Sequence, residues 1–318
     1  MRIPLTILAG LLVMQACVAG DGPSLGGNPN TTGSPADPTA APRVGFVLAH
    51  GFTGGADSFD PEIVAALEAD GYLVLRDTVP PVDSIAHRAA VLATQVDAFM
   101  AANQLDRVHV IAHSMGGLDT RFLISSLGYG SKIASLTTLE TPHRGSPLAD
   151  LALGITHSLT VSQEDAILAF TKVLGPDVTG TQLQAALTDL AESTAPAFND
   201  ANPDDPAVAY FSYAGYSTLF GVSYSKAKAA CAAPGATLPS PSSLPGLLNL
   251  SGPIVSGGID ARPNDGVVPV ESAKWTGFLG CIATDHLDMT SADAKDAADL
   301  DLPLVPFYRQ IAARVAPL

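Results

Sequence analysis

An α/β fold, in which helices cover both faces of a mostly parallel sheet, is the architecture that this sequence predicts. From residue 43 onward, short apolar runs alternate with longer amphipathic segments. The 318 residues are 47% hydrophobic and 15% charged, which supplies a sizeable core. Polar residues suited to catalysis follow the apolar runs, and in a parallel sheet such positions share one edge.

The individual elements follow from hydrophobic spacing and from the residues that end helices. We predict strands at 44–49, 73–75, 108–111, 133–139 and 208–214. We predict helices at 61–69, 84–103, 118–124 and 306–315. Gly71 lies just beyond the first of these helices, where glycine typically ends a helix.

Between residues 147 and 198 this alternation stops. Two amphipathic helices are predicted there, the first after Ser162 and the second with Leu183, Leu187 and Leu190 on one face. So long an excursion is uncommon for a plain connection. We therefore predict a helical cap at about 147–198 over the polar edge of the sheet. The alternative is a packed helical hairpin without a gating role.

The first twenty residues are typical of a secretory signal peptide. Arg2 supplies the positive start, residues 3–13 are apolar, and small residues follow that suit cleavage. In a second interpretation Cys17 is a lipid-attachment cysteine, because residues 14–17 loosely resemble a lipobox. We therefore expect an exported protein that is secreted, periplasmic or anchored as a lipoprotein.

The remaining composition limits the classes of partner. Residues 21–42 are nearly all small or polar and predict a flexible linker before one domain at 43–318. The net charge of −15 is spread along the chain, which argues against nucleic acid or an anionic membrane surface as the main partner. No later apolar stretch reaches the length of a transmembrane segment. The oligomeric state does not follow from the sequence.

Cys231 and Cys281 are the cysteines that remain if Cys17 is removed or lipidated. Two cysteines in an oxidising compartment most simply pair with each other. We predict a disulfide between them, and the alternative is two free buried thiols.

The sequence Ala-His-Ser-Met-Gly at 112–116 is the most informative motif. It lies between the strand at 108–111 and the helix at 118–124, and small residues flank its serine at minus two and plus two. This is the layout of a nucleophile elbow, which would expose Ser114 and aim the Met115 N–H at a carbonyl oxygen. The alternative is an ordinary helix N-cap serine.

A serine nucleophile needs a base and an acid that orients the base. Among seven histidines, only His286 lies well beyond the elbow and past the last predicted strand, whereas His113 is predicted to point away from the elbow. Asp265, in an Asn-Asp-Gly turn, is the preferred acid. Asp260 and Glu140 are competitors, the latter because it ends the strand after the elbow strand.

An oxyanion hole needs a second N–H besides that of Met115. The His-Gly-Phe sequence at 50–52 follows the first strand, and Gly51 allows a close backbone approach that presents the Phe52 N–H. The Phe52 ring is expected to line an acyl pocket, and simple core packing is the alternative.

Taken together, five motifs in this order resemble the bacterial secreted lipases of the Pseudomonas and Burkholderia type, in the α/β-hydrolase superfamily. They are His-Gly-Phe at 50–52, Ala-His-Ser-Met-Gly-Gly at 112–117, Thr-Pro-His-Arg-Gly-Ser at 141–146, Asn-Asp-Gly-Val-Val at 264–268 and Asp-His-Leu-Asp at 285–288. The resemblance covers about residues 43–318. It implies an α/β-hydrolase fold, a triad of Ser114, Asp265 and His286, and an oxyanion hole at Phe52 and Met115.

The resemblance also implies a calcium ion, and Asp288, two residues after the predicted catalytic histidine, matches one of its ligands. No clear match exists for the second calcium aspartate of those lipases. No organic cofactor is expected. The expected activity is that of a carboxylic ester hydrolase, most simply a triacylglycerol lipase or esterase. Its expected substrate is a lipid or another ester, which it could also bind at a lipid–water interface. The alternatives are a polyhydroxyalkanoate-type polyester depolymerase and a catalytically silent binding protein on the same scaffold.

Overall fold

A sheet of six parallel strands lies at the centre of the computed structural model, which describes residues 43–155, 180–217, 225–240, 248–257, 262–290 and 303–318. The strands are β1 (Gly45–Ala49), β2 (Leu73–Arg76), β3 (Val108–His113), β4 (Ile133–Leu139), β5 (Ala209–Gly215) and β6 (Phe278–Ile282). Their spatial order is β2-β1-β3-β4-β5-β6, and every neighbouring pair is parallel. The predicted fold class is confirmed.

The helices begin and end where their terminal residues favour it. They are α1 (Pro61–Ala69), α2 (Ile85–Asn103), α3 (Met115–Ser125), α4 (Pro147–Ala152), α5 (Gly180–Leu190), α6 (Ala195–Ala201), α7 (Ala227–Ala230), α8 (Leu248–Val255), α9 (Val270–Ala273) and α10 (Leu304–Val315). Asp60 caps α1 by accepting the Glu62 N–H, and Ser84 caps α2 by accepting the His87 N–H. The predicted bounds of α1 and of the strand β4 match the structure, whereas α10 begins two residues before its predicted start.

Two hydrophobic layers hold the helices on the sheet, because side chains alternate along each strand. In β1, Val47 packs in the cluster that contains the apolar residues of α2 and α3. Phe46 and Leu48 pack in the opposite cluster, with α1 and α10. All three side chains are fully buried.

Several elements were not predicted from the sequence, and β6 and α8 show why. The edge strand β6 contains Gly280 at a φ of +123°, which interrupts any regular apolar pattern. Helix α8 contains Pro253, a residue that normally argues against a helix interior. Both elements gain their stability from packing on neighbours, which local sequence does not reveal.

The described parts of the predicted cap are α4, α5 and α6. Leu187 and Leu190 of α5 are buried, and they pack in one cluster with Met115 and Leu118 of α3. The first predicted cap helix falls at 156–179, outside the described residues. The predicted signal peptide, the linker and Cys17 also lie outside them.

The loops after β1 and β3 diverge at the carboxyl ends of their strands. From β1 the chain passes to β2, which lies on one side of β1. It then returns to β3, which lies on the other side of β1. Such a reversal of strand order opens a crevice, which is where α/β sheets usually bind ligands.

Residues 42–318 cluster as one compact unit. Within the described ranges, no helix combines the length and the apolar character that crossing a bilayer requires.

Candidate active site

Ser114 occupies a strained turn between β3 and α3. Its φ is +52° and its ψ is −127°, a conformation that a residue with a side chain rarely adopts. A Cβ on Gly116 would lie 2.5 Å from the Ala49 carbonyl oxygen, so only glycine fits at this position. The turn therefore packs directly on β1 and presents Ser114 at the crevice. Met115 supplies the first N–H of α3, which has no partner within the helix.

The structure brings Ser114, His286 and Asp265 into one hydrogen-bonded chain. His286 Nε2 lies 2.9 Å from Ser114 Oγ, and His286 Nδ1 lies 2.8 Å from Asp265 Oδ2. Because a carboxylate only accepts hydrogen bonds, the proton belongs on Nδ1 and Nε2 accepts from the serine hydroxyl. All three residues are buried, and none is more than 6% exposed.

The loop that carries Asp265 is held by its own backbone and by two serines. Asp265 Oδ1 accepts the N–H groups of Val267 and Val268, which leaves Oδ2 for His286. Ser146 Oγ and Ser251 Oγ donate to the Val267 and Gly266 carbonyls, each at 2.6 Å. The acid is thus fixed in place by α4 and α8 as well as by its own turn.

The predicted oxyanion residue Phe52 lies in the loop after β1, and a buried arginine donates hydrogen bonds to the backbone of that loop. Arg88 of α2 is fully buried, and its Nη2 donates to the His50 carbonyl at 2.9 Å. The same guanidinium donates from Nη1 to the Pro80 carbonyl and from Nε to Asp119 Oδ2 at 2.8 Å. Asp119 belongs to α3, so Arg88 connects the loop after β1 to the helix that begins at Met115.

Sequence reasoning missed Arg88, although a signal existed. Ile85, Arg88, Leu92 and Val96 are spaced as one stripe of α2, and all four are buried. A charged residue in an apolar stripe of a helix needs a buried partner. That spacing therefore predicts an internal ion pair, which Asp119 provides.

Buried histidines and carboxyls extend this network. Burial, with the positive charge of Arg88, lowers the pKa of His50 to about 4. Burial raises the pKa of Asp77 to about 7, although its Oδ1 accepts the His50 N–H at 3.0 Å. His50 is therefore neutral near pH 7, and its backbone is fixed where the chain leaves β1.

His113 does not point away from the site, so that prediction is wrong. Its Nε2 lies 3.0 Å from the His286 carbonyl oxygen, and the two rings are 4.9 Å apart. It is the last residue of β3, and the His286 loop covers the sheet face that its side chain occupies. Burial lowers the pKa of His113 well below its usual range, so a neutral ring donates to that carbonyl.

Of the competing acids, Glu140 also approaches His286, while Asp260 lies outside the described residues. Glu140 Oε2 is 3.7 Å from His286 Nδ1, nearly an ångström farther than Asp265 Oδ2. Asp265 therefore holds the hydrogen bond to the histidine.

An apolar pocket opens above Ser114. It encloses about 830 Å³, part of it open solvent. Its lining is mostly apolar and includes Phe52, Leu148, Leu190, Leu248, Val267 and Leu287. Sequence reasoning assigned Phe52 to the pocket and placed Leu190 in the cap above it, whereas the other four converge from separate segments of the chain.

The predicted disulfide between Cys231 and Cys281 is present, with Cα atoms 5.2 Å apart. Cys281 lies in β6, whose end leads to His286, and Cys231 follows α7. The bridge therefore anchors the strand that positions the histidine.

Asp288, the predicted calcium ligand, lies on the loop after β6 beside a second aspartate. Asp285 and Asp288 come together there, and burial with the Asp288 charge raises the pKa of Asp285 to about 8. Calcium takes six to eight oxygen ligands. Within the described residues, the one three-residue group with metal-ligand spacing is His113, Glu140 and His286. Asp288 is not part of it, and calcium stays a prediction.

A nucleophile elbow, a histidine and an acid at the carboxyl edge of a parallel sheet define the class of α/β hydrolases. The chain belongs to the alpha/beta hydrolase fold family, whose model matches residues 46–206.

Individual relatives agree with this assignment. Triacylglycerol lipase 2 of Saccharomyces cerevisiae is 29% identical over 241 residues, which cover 70% of this chain and 59% of the yeast protein. A triacylglycerol lipase of Burkholderia plantarii is 31% identical over 150 residues, which cover 44% of this chain and 41% of that protein. This chain therefore spans less than two thirds of either relative. The expected resemblance to bacterial lipases is confirmed.

A solved structure shows the same fold. The mature form of the Bacillus licheniformis lipase BlEst2 superposes with a TM-score of 0.59 at 20% identity. The match covers 86% of this chain and 96% of that structure.

Proposed function

We propose that this protein is an exported serine hydrolase of carboxylic esters, and specifically a triacylglycerol lipase or esterase. The observation that carries the proposal is the Ser114–His286–Asp265 chain, with contacts of 2.9 and 2.8 Å, below an apolar pocket. The relatives whose names are triacylglycerol lipases support the same substrate class.

Each residue of the chain has one task in the proposed acylation. Ser114 Oγ attacks the ester carbonyl carbon while His286 Nε2 takes the serine proton. Asp265 holds the imidazole with its proton on Nδ1 and stabilises the imidazolium that forms. The N–H groups of Phe52 and Met115 stabilise the negative oxygen of the tetrahedral intermediate. His286 then returns the proton to the leaving alcohol, and the acyl group stays on Ser114.

Deacylation repeats these steps with water. His286 takes a proton from the water, which attacks the acyl-enzyme carbonyl, and the proton then returns to Ser114 Oγ as the acid leaves. The three side chains supply every proton transfer, so we infer that no organic cofactor takes part.

The pocket lining supports a hydrocarbon acyl group as the part of the substrate that binds. Leu148 and Leu190 come from the described ends of the cap, and Leu248 and Val267 face the same space. Burial of apolar surface contributes roughly 0.8 kcal/mol for each methylene. Affinity should therefore rise with acyl chain length until the pocket is filled.

A panel of esters tests this function. We expect p-nitrophenyl esters from acetate to palmitate and emulsified triglyceride to be hydrolysed, and Ser114→Ala to abolish both activities without changing the melting temperature. Release of soluble acids from polyhydroxybutyrate film without triglyceride hydrolysis would favour the polyester depolymerase. Binding of esters without turnover would favour the silent binding protein.

We further propose that the cap at about 147–198 gates the pocket. Its described ends, α4 and α5, contribute Leu148 and Leu190 to the pocket lining, so a movement of the cap would change access to Ser114. The rate on a short-chain ester should then rise more than in proportion once the ester exceeds its solubility. Hyperbolic kinetics through that limit would make the cap a static packing element.

Export is the localisation that the disulfide supports, since such bonds persist in oxidising compartments. Secreted, periplasmic and lipoprotein-anchored forms are the outcomes that cell fractionation would separate.

A further inference from the structure

Glu140 has an unusual place at the end of β4. It is fully buried, and its φ is +55°, in the left-handed region that a side chain rarely adopts. Its N–H donates to the Tyr213 carbonyl, which fixes the backbone in that conformation. The backbone therefore directs a glutamate inward beside the site, where a smaller residue would suffice for the turn.

Gly215, at the end of β5, provides the space for this side chain. A Cβ on Gly215 would lie 2.0 Å from Glu140 Oε1 and 2.7 Å from the Cβ of Asp265. Any other residue at this position would displace one of the two acids. The absence of a side chain at Gly215 therefore lets two carboxyls lie on the same side of His286.

The two oxygens of Glu140 have different environments. Oε1 accepts a hydrogen bond from Thr284 Oγ1 at 2.7 Å. Oε2 has no hydrogen-bond partner within the described part of the chain, although it is buried. It lies 3.7 Å from His286 Nδ1 and 3.6 Å from His113 Nε2. A movement of about an ångström, within the freedom of a glutamate rotamer, would bring Oε2 to hydrogen-bond distance of His286 Nδ1.

The charges around Glu140 explain why it does not already hold that hydrogen bond. Burial raises the pKa of Glu140 well above its usual range, and the negative charge of Asp265 raises it further. The other titratable groups that influence it are Asp285 and Asp288 on the loop after β6, Tyr308 on α10, and the rings of His113 and His286. The raised pKa favours a neutral Glu140 carboxyl, while Asp265 Oδ2 accepts the His286 Nδ1–H.

We propose that Glu140 is a reserve positioning residue for the base: when the Asp265 carboxylate is removed, Glu140 ionises and its Oε2 accepts the His286 Nδ1–H. The proton that Glu140 loses passes to solvent. This inference rests on the proposed function, since it concerns the same base. The alternative is that Glu140 serves only as the partner of Thr284.

A double-mutant cycle separates these two roles. The variants are Asp265→Ala, which leaves space for Glu140, Glu140→Gln, which keeps the Thr284 bond, and the double variant. Loss of the acid in a triad lowers kcat by roughly 10⁴-fold. We expect Asp265→Ala to lose only about 10- to 100-fold, Glu140→Gln less than about tenfold, and the double variant the full loss of about 10⁴-fold.

Asp265→Asn is the matched comparison, because its amide donates towards Nδ1 and favours the wrong tautomer. A reserve acid predicts that Asp265→Ala is more active than Asp265→Asn. It also predicts that the acid limb of the kcat profile of Asp265→Ala lies at higher pH than in the wild type. That shift should vanish in the double variant, and a merely structural role of Glu140 would not produce it.

Two controls keep the outcome interpretable. If Asp265→Ala does not fold, Asp265→Ser offers a hydroxyl that can still accept the Val267 and Val268 N–H groups. Equal inactivity of folded Asp265→Ala and of the double variant would overturn the reserve role and leave the proposed function intact. Full ester hydrolysis by Ser114→Ala would instead overturn the proposed function itself.

Discussion

The two halves of the candidate site are held in place by different means. In the nucleophile half, Ser114 and Met115 are consecutive residues on one strained turn that packs on β1. In the acid–histidine half, Asp265 and His286 lie on separate loops, more than 140 residues beyond the serine. Those loops are joined by the hydrogen bond from the His286 N–H to the Asp265 carbonyl and by the Cys231–Cys281 disulfide nearby.

This difference shows which kind of change should damage each half. Backbone sterics fix the nucleophile half, so only residues that support the turn or the neighbouring loop matter there. Cross-links fix the acid–histidine half, so loss of one link should change the geometry between the two loops. The following predictions test that contrast.

The largest effect concerns the link between acid and base. Asp265→Asn should lower kcat by about 10³- to 10⁴-fold, because an asparagine amide stabilises the wrong histidine tautomer. Exposed Asp57→Asn is the matched control and should stay at the wild-type rate. Near wild-type activity of Asp265→Asn, together with an inactive Glu140→Gln, would move the acid assignment to Glu140.

Reduction of the Cys231–Cys281 disulfide should have the second largest effect. It closes a loop of 50 residues, which the chain-entropy model values at about 4 kcal/mol of unfolding free energy, as an upper figure. Reduction should therefore lower the melting temperature and the esterase activity together. A drop in melting temperature with an unchanged rate on the folded protein would show that the bridge does not position His286.

In the nucleophile half, Arg88→Lys should lower kcat by about 10- to 100-fold and leave KM nearly unchanged. Lysine keeps the charge but cannot hold the His50 carbonyl and Asp119 at once, so the Phe52 N–H moves. Arg309→Lys, which alters an exposed pair with Asp70, is the control. Equal kinetics for the two variants would remove Arg88 from the support of the oxyanion loop.

The smallest effect concerns pH and the strand β3 below the elbow. Burial lowers the pKa of His109 to about 4, from 6.5 in the unfolded chain. A lowered pKa stabilises the fold fully above pH 6.5, and this contribution is lost as pH falls through 4. Compared with His109→Asn, the wild type should lose on the order of 2 kcal/mol of unfolding free energy in that window. Urea unfolding of both proteins above pH 6.5 and near pH 4 checks this. An equal loss of unfolding free energy in the wild type and in His109→Asn would contradict it.

The sequence predicts the parts of the molecule in which local pattern and tertiary structure agree. The strands up to β5, the elbow and the turn at Asp265 follow from apolar spacing and turn residues. The edge strand β6, with its left-handed Gly280, is stabilised by pairing with β5, so its own residues do not reveal it.

Buried polar contacts were the main part that pattern could not supply. The place of Arg88 in an apolar stripe of α2 indicates a buried partner but does not identify it as Asp119, and the partner of Glu140, Thr284, lies on a distant loop. The inward position of His113 was missed for the same reason, because the covering loop comes from β6.

The central claim is that Ser114 is a nucleophile activated by His286. A p-nitrophenyl alkylphosphonate tests it most directly, since the reagent forms a stable bond only with an activated serine. Incubation followed by peptide mass spectrometry should find one label, on Ser114, with complete loss of esterase activity and no labelling of Ser114→Ala. A label on another residue, or full inactivation without a label on Ser114, would contradict the account.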